Sequence, residues 1–183
     1  PQTENLYSKY SVTCSTASQR REVDRSFLEE KLGFVSAFIN NPHPMRLQAI
    51  KYLSKIGKID LFGRSVNNYV EDKIGTAGLY WFNLCFENDL YPGYVTEKAL
   101  EAWLGWSIPL YWGSDANNIL NQNALINLAN FPSMDDFADF VSNLYKDKDR
   151  MIEMLSQPLL IKDFQYQSLV EFISAGLKKK FEI

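Results

Sequence analysis

The chain contains very few of the residue types that form metal centres or nucleophilic triads. It has one histidine and two cysteines among 183 residues. A Ser-His-Asp or Cys-His arrangement needs a histidine beside the nucleophile, and the single candidate, His43, lies between two prolines. We therefore expect His43 to be structural or solvated rather than catalytic, and we expect no histidine-based metal site.

Glycine-rich phosphate loops, disulfide frameworks and membrane spans are missing as well. The sequence has neither a G-x-G-x-x-G pattern nor a Walker-type loop. Cys14 and Cys85 are too few for a disulfide framework, and Cys85 lies in an apolar run, so we expect a reduced thiol in a reducing compartment. No run approaches the ~20 apolar residues of a membrane helix. A net charge of −3 provides no broad basic surface, so we expect no nucleic-acid partner.

The composition is that of one globular domain. Hydrophobic residues make up 46% of the chain and aromatic residues 14%, which is enough for a substantial core. Residues 1–31 are polar and rich in serine, threonine and glutamine, so we interpret them as a linker or edge segment. Residues 32–183 are then predicted to form the domain.

Short apolar runs alternate with helical patterns after residue 32. Residues 34–39 are predicted to form a buried strand, and a helix should begin at Pro44 and end at Gly57. Residues 58–62 resemble a second strand, whereas residues 64–77 form a polar stretch with no firm assignment.

The second half of the chain continues the alternation. Residues 82–114 are predicted to form a strand, a loop, a helix and another strand, and residues 124–128 a further strand. Ser133 is predicted to cap a helix over residues 134–145. A short helix is predicted around residues 149–156, and a last helix over about residues 162–181. This order predicts an α/β fold with a mainly parallel sheet and helices on both faces.

The junction between the loop and the helix in residues 82–114 carries the chemistry. Thr96 is predicted to cap the helix, which places Glu97 and Lys98 in its first turn. A lysine there opposes the helix dipole, and a bound diphosphate would explain it. Arg46 begins an earlier helix at the equivalent edge of the sheet, so both cations could meet in one crevice. The alternative is that both are ordinary surface charges.

Other candidate residues are weaker. Tyr94 follows a glycine in the loop and could stack on a base or sugar, or bond a phosphate. The four tryptophans are best explained as packing residues. Asp147 and Asp149 form a D-x-D pattern like that of metal-dependent sugar transferases, but they lie in a solvated run of charges.

Two segments resemble a known family. Residues 82–114, FNLCFENDLYPGYVTEKALEAWLGWSIPLYWGS, closely resemble the signature of the α-1,3/4-fucosyltransferases of glycosyltransferase family 10. Residues 34–53, FVSAFINNPHPMRLQAIKYL, are similar to the strand, N-P turn and arginine-bearing helix of the same family, and of its bacterial members most of all. The resemblance implies a Rossmann-like nucleotide-binding domain, the C-terminal half of a GT-B glycosyltransferase.

The resemblance also implies a reaction. It is the transfer of L-fucose from GDP-fucose to a hydroxyl of N-acetylglucosamine or glucose in a glycan, with inversion and without a metal or other cofactor. On this basis Arg46 and Lys98 would clamp the diphosphate, and Asn88 and Tyr94 would contact phosphate or sugar. Glu97 would bond the ribose or fucose and stabilise positive charge on the fucosyl ring. Fixed cations would favour the transition state because the departing GDP gains negative charge.

The resemblance also indicates what lies outside the matched segment. Family members carry an N-terminal domain with the acceptor contacts and the general base, whereas about thirty polar residues precede the match here. Four acidic side chains there are candidates without a motif: Glu22, Asp24, Glu29 and Glu30. We therefore expect a donor-binding domain that is inactive alone, with an N-terminal domain and an oligosaccharide acceptor as its partners.

Two other functions and the location remain open at this point. The chain could be a non-catalytic module that binds nucleotide sugars or glycans, or a GT-B transferase that uses another donor. A bacterial protein would be cytoplasmic and peripheral to the inner membrane through Lys178, Lys179 and Lys180, although these lysines also suit a final helix turn. A eukaryotic protein would lie in the Golgi lumen.

Overall fold

The computed structural model describes residues 17–23, 25–115 and 118–161. Within them a five-stranded parallel sheet has the strand order β2-β1-β3-β4-β5. The strands are β1 (Gly33–Phe38), β2 (Ile59–Phe62), β3 (Tyr80–Phe86), β4 (Ile108–Trp112) and β5 (Ile126–Asn127). The helices are α1 (Arg25–Glu29), α2 (Pro44–Leu53), α3 (Lys73–Gly78), α4 (Glu97–Leu104), α5 (Met134–Lys146) and α6 (Lys148–Ser156). Short 3-10 turns cover Arg64–Val66 and Leu128–Asn130.

The central strand β3 is buried along its whole length. Its side chains alternate between the two faces of the sheet. Phe82 and Phe86 pack with α2, α5 and α6 in one cluster, whereas Cys85 packs with Trp103 of α4 and Tyr111 of β4 in the other. The predicted α/β fold, with a parallel sheet covered on both faces, is confirmed.

Helix α2 begins where the sequence predicts but ends earlier. His43 occupies its N-cap, and its Nδ1 accepts a hydrogen bond from the Met45 amide at 3.3 Å. The imidazole also packs 5.2 Å from the Trp112 ring, so His43 is structural, as expected. The helix ends at Leu53 rather than at Gly57, because the chain turns between these residues and Gly57 packs against Phe34, where a Cβ atom would lie 2.8 Å from the ring.

Helix α3 begins inside residues 64–77, the stretch without a firm prediction, and ends one residue after it. Asp72 caps it by accepting a hydrogen bond from the Gly75 amide at 2.9 Å. The helix also packs closely on the turn after α4, because a Cβ atom on Gly78 would lie 2.8 Å from the Gly105 carbonyl oxygen. Six residues that include two glycines give almost no periodic signal, so the cap and the packing determine this helix.

The last described elements follow the sequence closely. Strand β5 is shorter than predicted, because a 3-10 turn capped by Asn127 begins directly after it. Ser133 caps α5 as predicted, accepting from the Asp136 amide at 3.1 Å. Asp147, the first residue of the D-x-D pattern, caps α6 through the Arg150 amide at 3.0 Å. The final predicted helix, residues 162–181, lies outside the described residues, as does Cys14.

The described part of the N-terminal segment packs against the domain. The Arg21 guanidinium lies 3.7 Å from the ring centroids of both Trp103 and Trp106. Its Nε donates to the Leu155 carbonyl and its amide to the Ser156 carbonyl, each at 3.0 Å. The segment therefore contributes an edge contact, while the domain boundary at residue 31 stays a prediction. None of the helices in the described ranges is long and apolar enough to cross a membrane.

Candidate functional site

A cleft of about 200 Å³ opens at the carboxyl ends of β1 and β3. These strands are neighbours, but the chain leaves β1 toward β2 and leaves β3 toward β4, so the connections diverge between them. Ligands of open α/β sheets bind in such crevices. The residues that line the cleft are Phe38, Asn40, Asn41, Arg46, Lys73, Ala77, Asn83, Leu84, Phe86, Asn88, Glu97, Lys98, Glu101 and Ala102.

Arg46, in the first turn of α2, connects the two strand ends and is only 4% exposed. Its guanidinium donates twice to the Phe86 carbonyl, at 3.2 and 2.5 Å, and once to the Asn41 carbonyl at 2.6 Å. A fourth hydrogen bond, at 2.8 Å, reaches Asn88 Oδ1. A guanidinium has five donors, so one N–H remains for a ligand.

No carboxylate in the described part of the chain forms an ion pair with Arg46. Burial lowers the pKa of Arg46, whereas Glu87, Cys85 and Tyr94 act in the opposite direction. The cleft therefore contains a buried cation held by neutral oxygen atoms.

Glu87 is a site residue to which the sequence assigned no role. It follows β3 directly, and its carboxylate is fully buried. One oxygen accepts from the Thr96 amide at 2.8 Å. The other accepts from the Thr96 hydroxyl at 2.7 Å and from Lys98 Nζ at 2.9 Å. Glu87 thus joins the end of β3 to the start of α4. A charged residue directly after a seven-residue apolar strand is the signal that could have identified it.

Thr96 is the N-cap residue of α4, as predicted, but its hydroxyl donates to Glu87 and makes no capping hydrogen bond to the helix. Lys98 does not need a ligand to explain its position, because it neutralises the buried Glu87 and also donates to the Thr96 hydroxyl at 2.8 Å. Lys98 nevertheless lines the cleft, and its third N–H remains available.

A second cation–anion pair crosses the cleft. Lys73, the first residue of α3, forms an ion pair with Glu101 of α4. Both side chains line the cleft, and neither is among the site residues predicted from the sequence. Glu101 lies one helical turn after Glu97, and this spacing indicates a shared helix face. Lys73 offered no comparable signal because α3 itself was not predicted.

Four of the five predicted site residues converge on the cleft. Arg46, Asn88, Glu97 and Lys98 all line it. Tyr94 does not; it is half-buried in the loop before α4, where its amide donates to the Tyr91 carbonyl at 2.9 Å. The structure therefore places Tyr94 beside the cleft rather than in it.

The polar residues beneath the cleft are shielded from solvent. The Cys85 thiol is free and buried, as expected, and donates to the Asn83 carbonyl at 3.3 Å. Burial raises the pKa of both Cys85 and Tyr111. Cys85 is therefore a protonated, inert thiol rather than a nucleophile.

Comparison with known protein families identifies the family of this chain. The sequence model described as "Glycosyltransferase family 10 (fucosyltransferase) C-term" matches residues 28–156, well over half of the chain. The chain belongs to glycosyltransferase family 10.

Individual proteins named as fucosyltransferases are also similar to this chain. Alpha-(1,3)-fucosyltransferase FucT of Helicobacter pylori is 35% identical over 149 residues, which are 76% of this chain and 31% of that protein. The putative fucosyltransferase R654 of Acanthamoeba polyphaga mimivirus is 27% identical over 188 residues, 93% of this chain and 31% of that protein. The chain thus spans about a third of the length of these relatives.

Solved structures described as alpha1,3-fucosyltransferases have the same fold. A crystal structure described as alpha1,3-fucosyltransferase with GDP-fucose matches with a TM-score of 0.70 and 29% identity. The match covers 80% of this chain and 47% of that one. A crystal structure of alpha1,3-fucosyltransferase with GDP matches with the same TM-score. The predicted family and the predicted C-terminal half of a GT-B fold are confirmed.

Three of the four acidic residues considered as general bases do not line the cleft. Glu22, Glu29 and Glu30 are exposed and do not line it, and Asp24 lies outside the described residues. Within the described ranges no three side chains of histidine, cysteine, aspartate or glutamate lie together in a metal-binding group.

Proposed function

We propose that this chain is the donor-binding domain of an inverting α-1,3/4-fucosyltransferase. The complete enzyme transfers L-fucose from GDP-fucose to a hydroxyl of N-acetylglucosamine or glucose in a glycan. The matched crystal structures of alpha1,3-fucosyltransferase with GDP-fucose and with GDP support this donor.

The observation that carries the proposal is that the buried Arg46 guanidinium has no ion-pair partner among the described residues. A buried cation without an anionic partner is costly, and it is retained most readily where an anion binds. Arg46 is 4% exposed and faces the cleft at the divergence of β1 and β3. The N-terminus of α4, which bears Glu97 and Lys98, opens into the same cleft. A diphosphate supplies the missing negative charge.

Each residue of the cleft then has a role. Arg46, the remaining N–H of Lys98 and the first amides of α4 bind the diphosphate. The Asn88 amide nitrogen binds a phosphate or sugar oxygen, because Asn88 Oδ1 already accepts from Arg46. Glu97, whose side chain is 43% exposed, bonds the ribose or fucose and stabilises the positive charge that develops on the fucosyl ring. Tyr94 contacts the phosphate or sugar from the adjacent loop.

The same groups favour bond breaking. The bond between the fucosyl anomeric carbon and the β-phosphate oxygen breaks, and GDP leaves with its electron pair. The acceptor hydroxyl attacks from the opposite face and gives its proton to the general base of the N-terminal domain, and the attack inverts the anomeric configuration. Arg46 and Lys98 stabilise the departing GDP more than bound GDP-fucose because its charge increases during the step. We assign no metal to this neutralisation and expect GDP binding to persist in EDTA.

The acceptor site and the general base belong to an N-terminal domain in this proposal, and the chain alone is inactive. A bacterial enzyme of this kind is cytoplasmic and peripheral to the inner membrane through Lys178, Lys179 and Lys180, which lie outside the described residues. A eukaryotic one is in the Golgi lumen. The names of the relatives do not favour a transferase with another donor or a non-catalytic module.

Isothermal titration calorimetry with GDP at low salt tests the site. Truncating one partner of a buried charged hydrogen bond costs about 2–5 kcal/mol, so Arg46→Ala and Lys98→Ala should each weaken GDP binding about 30-fold or more. Lys51→Ala is the matched control, because Lys51 is exposed at the far end of α2. We expect it to bind GDP normally.

Two outcomes would contradict the proposal. The absence of saturable GDP binding would refute the donor assignment, and unchanged affinity in both alanine variants would refute the site. Competition identifies the donor, since GDP-fucose should displace GDP whereas UDP-sugars should not. Fusion to the N-terminal domain of a family 10 relative should restore fucosyl transfer, and binding without transfer would favour a non-catalytic module.

A further inference from the structure

A buried carboxylate stands behind the cleft without lining it. Glu87 is 0% exposed and is absent from the cleft surface, so it is not placed to touch a ligand. Its two oxygens accept three hydrogen bonds, two from Thr96 and one from Lys98. The two bonds from Thr96 hold the carboxylate in one orientation, and the carboxylate in turn fixes the position of the Lys98 ammonium.

The surroundings of Glu87 leave it no alternative position. A Cβ atom on Gly113 would clash with the Tyr111 hydroxyl and would lie 2.8 Å from Glu87 Cγ. Tyr111 is itself fully buried. The carboxylate is therefore enclosed by β4 on one side and by the start of α4 on the other.

Lys98 lies close to two carboxylates, those of Glu87 and Glu97. Its ammonium lies 2.9 Å from Glu87 Oε2 and 3.9 Å from Glu97 Oε1, and the Glu97 side chain is 43% exposed. Attraction is stronger in the low dielectric around Glu87 than beside a solvated carboxylate. The ammonium therefore stays at Glu87, which leaves the Glu97 carboxylate free for a neutral hydroxyl.

We propose that Glu87 is a positioning residue of the donor site. It fixes the Lys98 ammonium where one N–H faces the cleft, and it prevents Lys98 from neutralising Glu97. This inference rests on the proposed function, because it assigns Glu87 a role in binding the diphosphate. It is an indirect role, exercised through Lys98.

The direction in which Glu87→Gln changes GDP affinity distinguishes a positioning role from a purely electrostatic one. If Glu87 acted only as a nearby negative charge, Glu87→Gln would remove a repulsion and strengthen GDP binding. If Glu87 positions Lys98, the same change lets the ammonium move toward Glu97 and weakens GDP binding. Loss of a group that orients a ligating residue typically costs about 10- to 100-fold in affinity.

A double-mutant cycle measured by calorimetry with GDP at low salt tests the inference. We expect Glu87→Gln to weaken binding about 10-fold or more in the wild-type chain and to cause no loss of affinity in the Lys98→Ala chain. A merely structural role would give the same loss in both backgrounds. Glu153→Gln, the same chemical change at an exposed carboxylate on α6, is the control and should bind GDP normally.

A second variant covers the case in which Glu87→Gln does not fold, as judged by thermal unfolding. Thr96→Val removes the hydroxyl that contacts both Glu87 and Lys98 but keeps the backbone amide that binds Glu87. It should also weaken GDP binding, and only when Lys98 is present. Equal or tighter binding by the folded variants, or additive losses, would overturn the inference while leaving the GDP site intact. Failure of the unaltered chain to bind GDP would overturn the proposed function and the inference with it.

Discussion

The Arg21 guanidinium lies between two indole rings, so Arg21→Ala should strongly destabilise the chain. Its centre is 3.7 Å from the ring centroids of both Trp103 and Trp106. Burial lowers the pKa of Arg21 to about 9, which leaves the side chain charged at neutral pH. The substitution therefore removes a cation, its hydrogen bond to the Leu155 carbonyl and the stem that packs on α4.

The expected loss follows from opposing contributions. A desolvated cation over one ring contributes up to about 2 kcal/mol, and a hydrogen bond from a charged donor about 1.5–3 kcal/mol. Two costs oppose these gains. Burying the charge is unfavourable, and Arg21 Nη2 is buried without a hydrogen-bond partner among the described residues. We expect a net decrease of about 3 kcal/mol in the free energy of unfolding, a large effect for a single substitution.

The adjacent arginine provides a matched control for a urea-denaturation assay. Arg20 pairs with Glu153, but their side chains are 60% and 57% exposed. Exposed pairs contribute about 0–1 kcal/mol, so Arg20→Ala should change stability little. Arg21→Met keeps most of the packing and removes the buried charge, so its loss should fall between the two. Equal stability of Arg20→Ala and Arg21→Ala would refute the packing of the N-terminal segment on α4.

Two further predictions concern the enclosed position beside Glu87 and the half-buried Lys31. Gly113→Ala should lower the free energy of unfolding by about 1–3 kcal/mol. The new Cβ would clash with the Tyr111 hydroxyl and approach Glu87 Cγ, and neither group can move away because both residues are buried. An unchanged urea midpoint would contradict the enclosure of Glu87. Burial lowers the pKa of Lys31 from its ordinary value of 10.5 to about 7, and the nearby Arg21 charge lowers it further. Between these pH values the unfolded chain binds more protons than the folded chain, so the contribution of Lys31 to stability rises with pH. The difference in unfolding free energy between wild type and Lys31→Met should therefore shift in favour of wild type between pH 7 and 9.5, and a difference independent of pH would contradict this assignment.

The parts of the fold that the sequence predicts are those determined by local pattern. Strand β1 is a continuous apolar run between a glycine and an Asn-Asn-Pro turn, and α5 combines the Ser133 cap with an apolar stripe. Helix α2 has a proline at its first position. Each signal lies within about fifteen residues and does not depend on what the element packs against.

The parts that the sequence did not predict depend on distant partners. Helix α3 is determined by the Asp72 cap and by its contact with the turn after α4. Arg21 looks like a solvated charge until Trp103 and Trp106 are placed on either side of it. The hydroxyl of Thr96 would cap α4 in isolation, but Glu87 offers it a charged acceptor. In each case a tertiary contact outweighs the local preference.

The two cations of the cleft show why the sequence could identify candidate diphosphate-binding residues but not which of them carries the larger unpaired charge. Arg46 and Lys98 occupy equivalent positions in the first turns of their helices, α2 and α4. The charge of Lys98 is offset by Glu87, which lies eleven residues earlier in the chain but only 2.9 Å away in space. Arg46 has no such partner in the described part of the chain, since its bonds go to carbonyl and amide oxygens. Long-range attraction of a diphosphate should therefore come mainly from Arg46 and the α4 N-terminus, whereas Lys98 acts at contact distance and depends on Glu87 for its position.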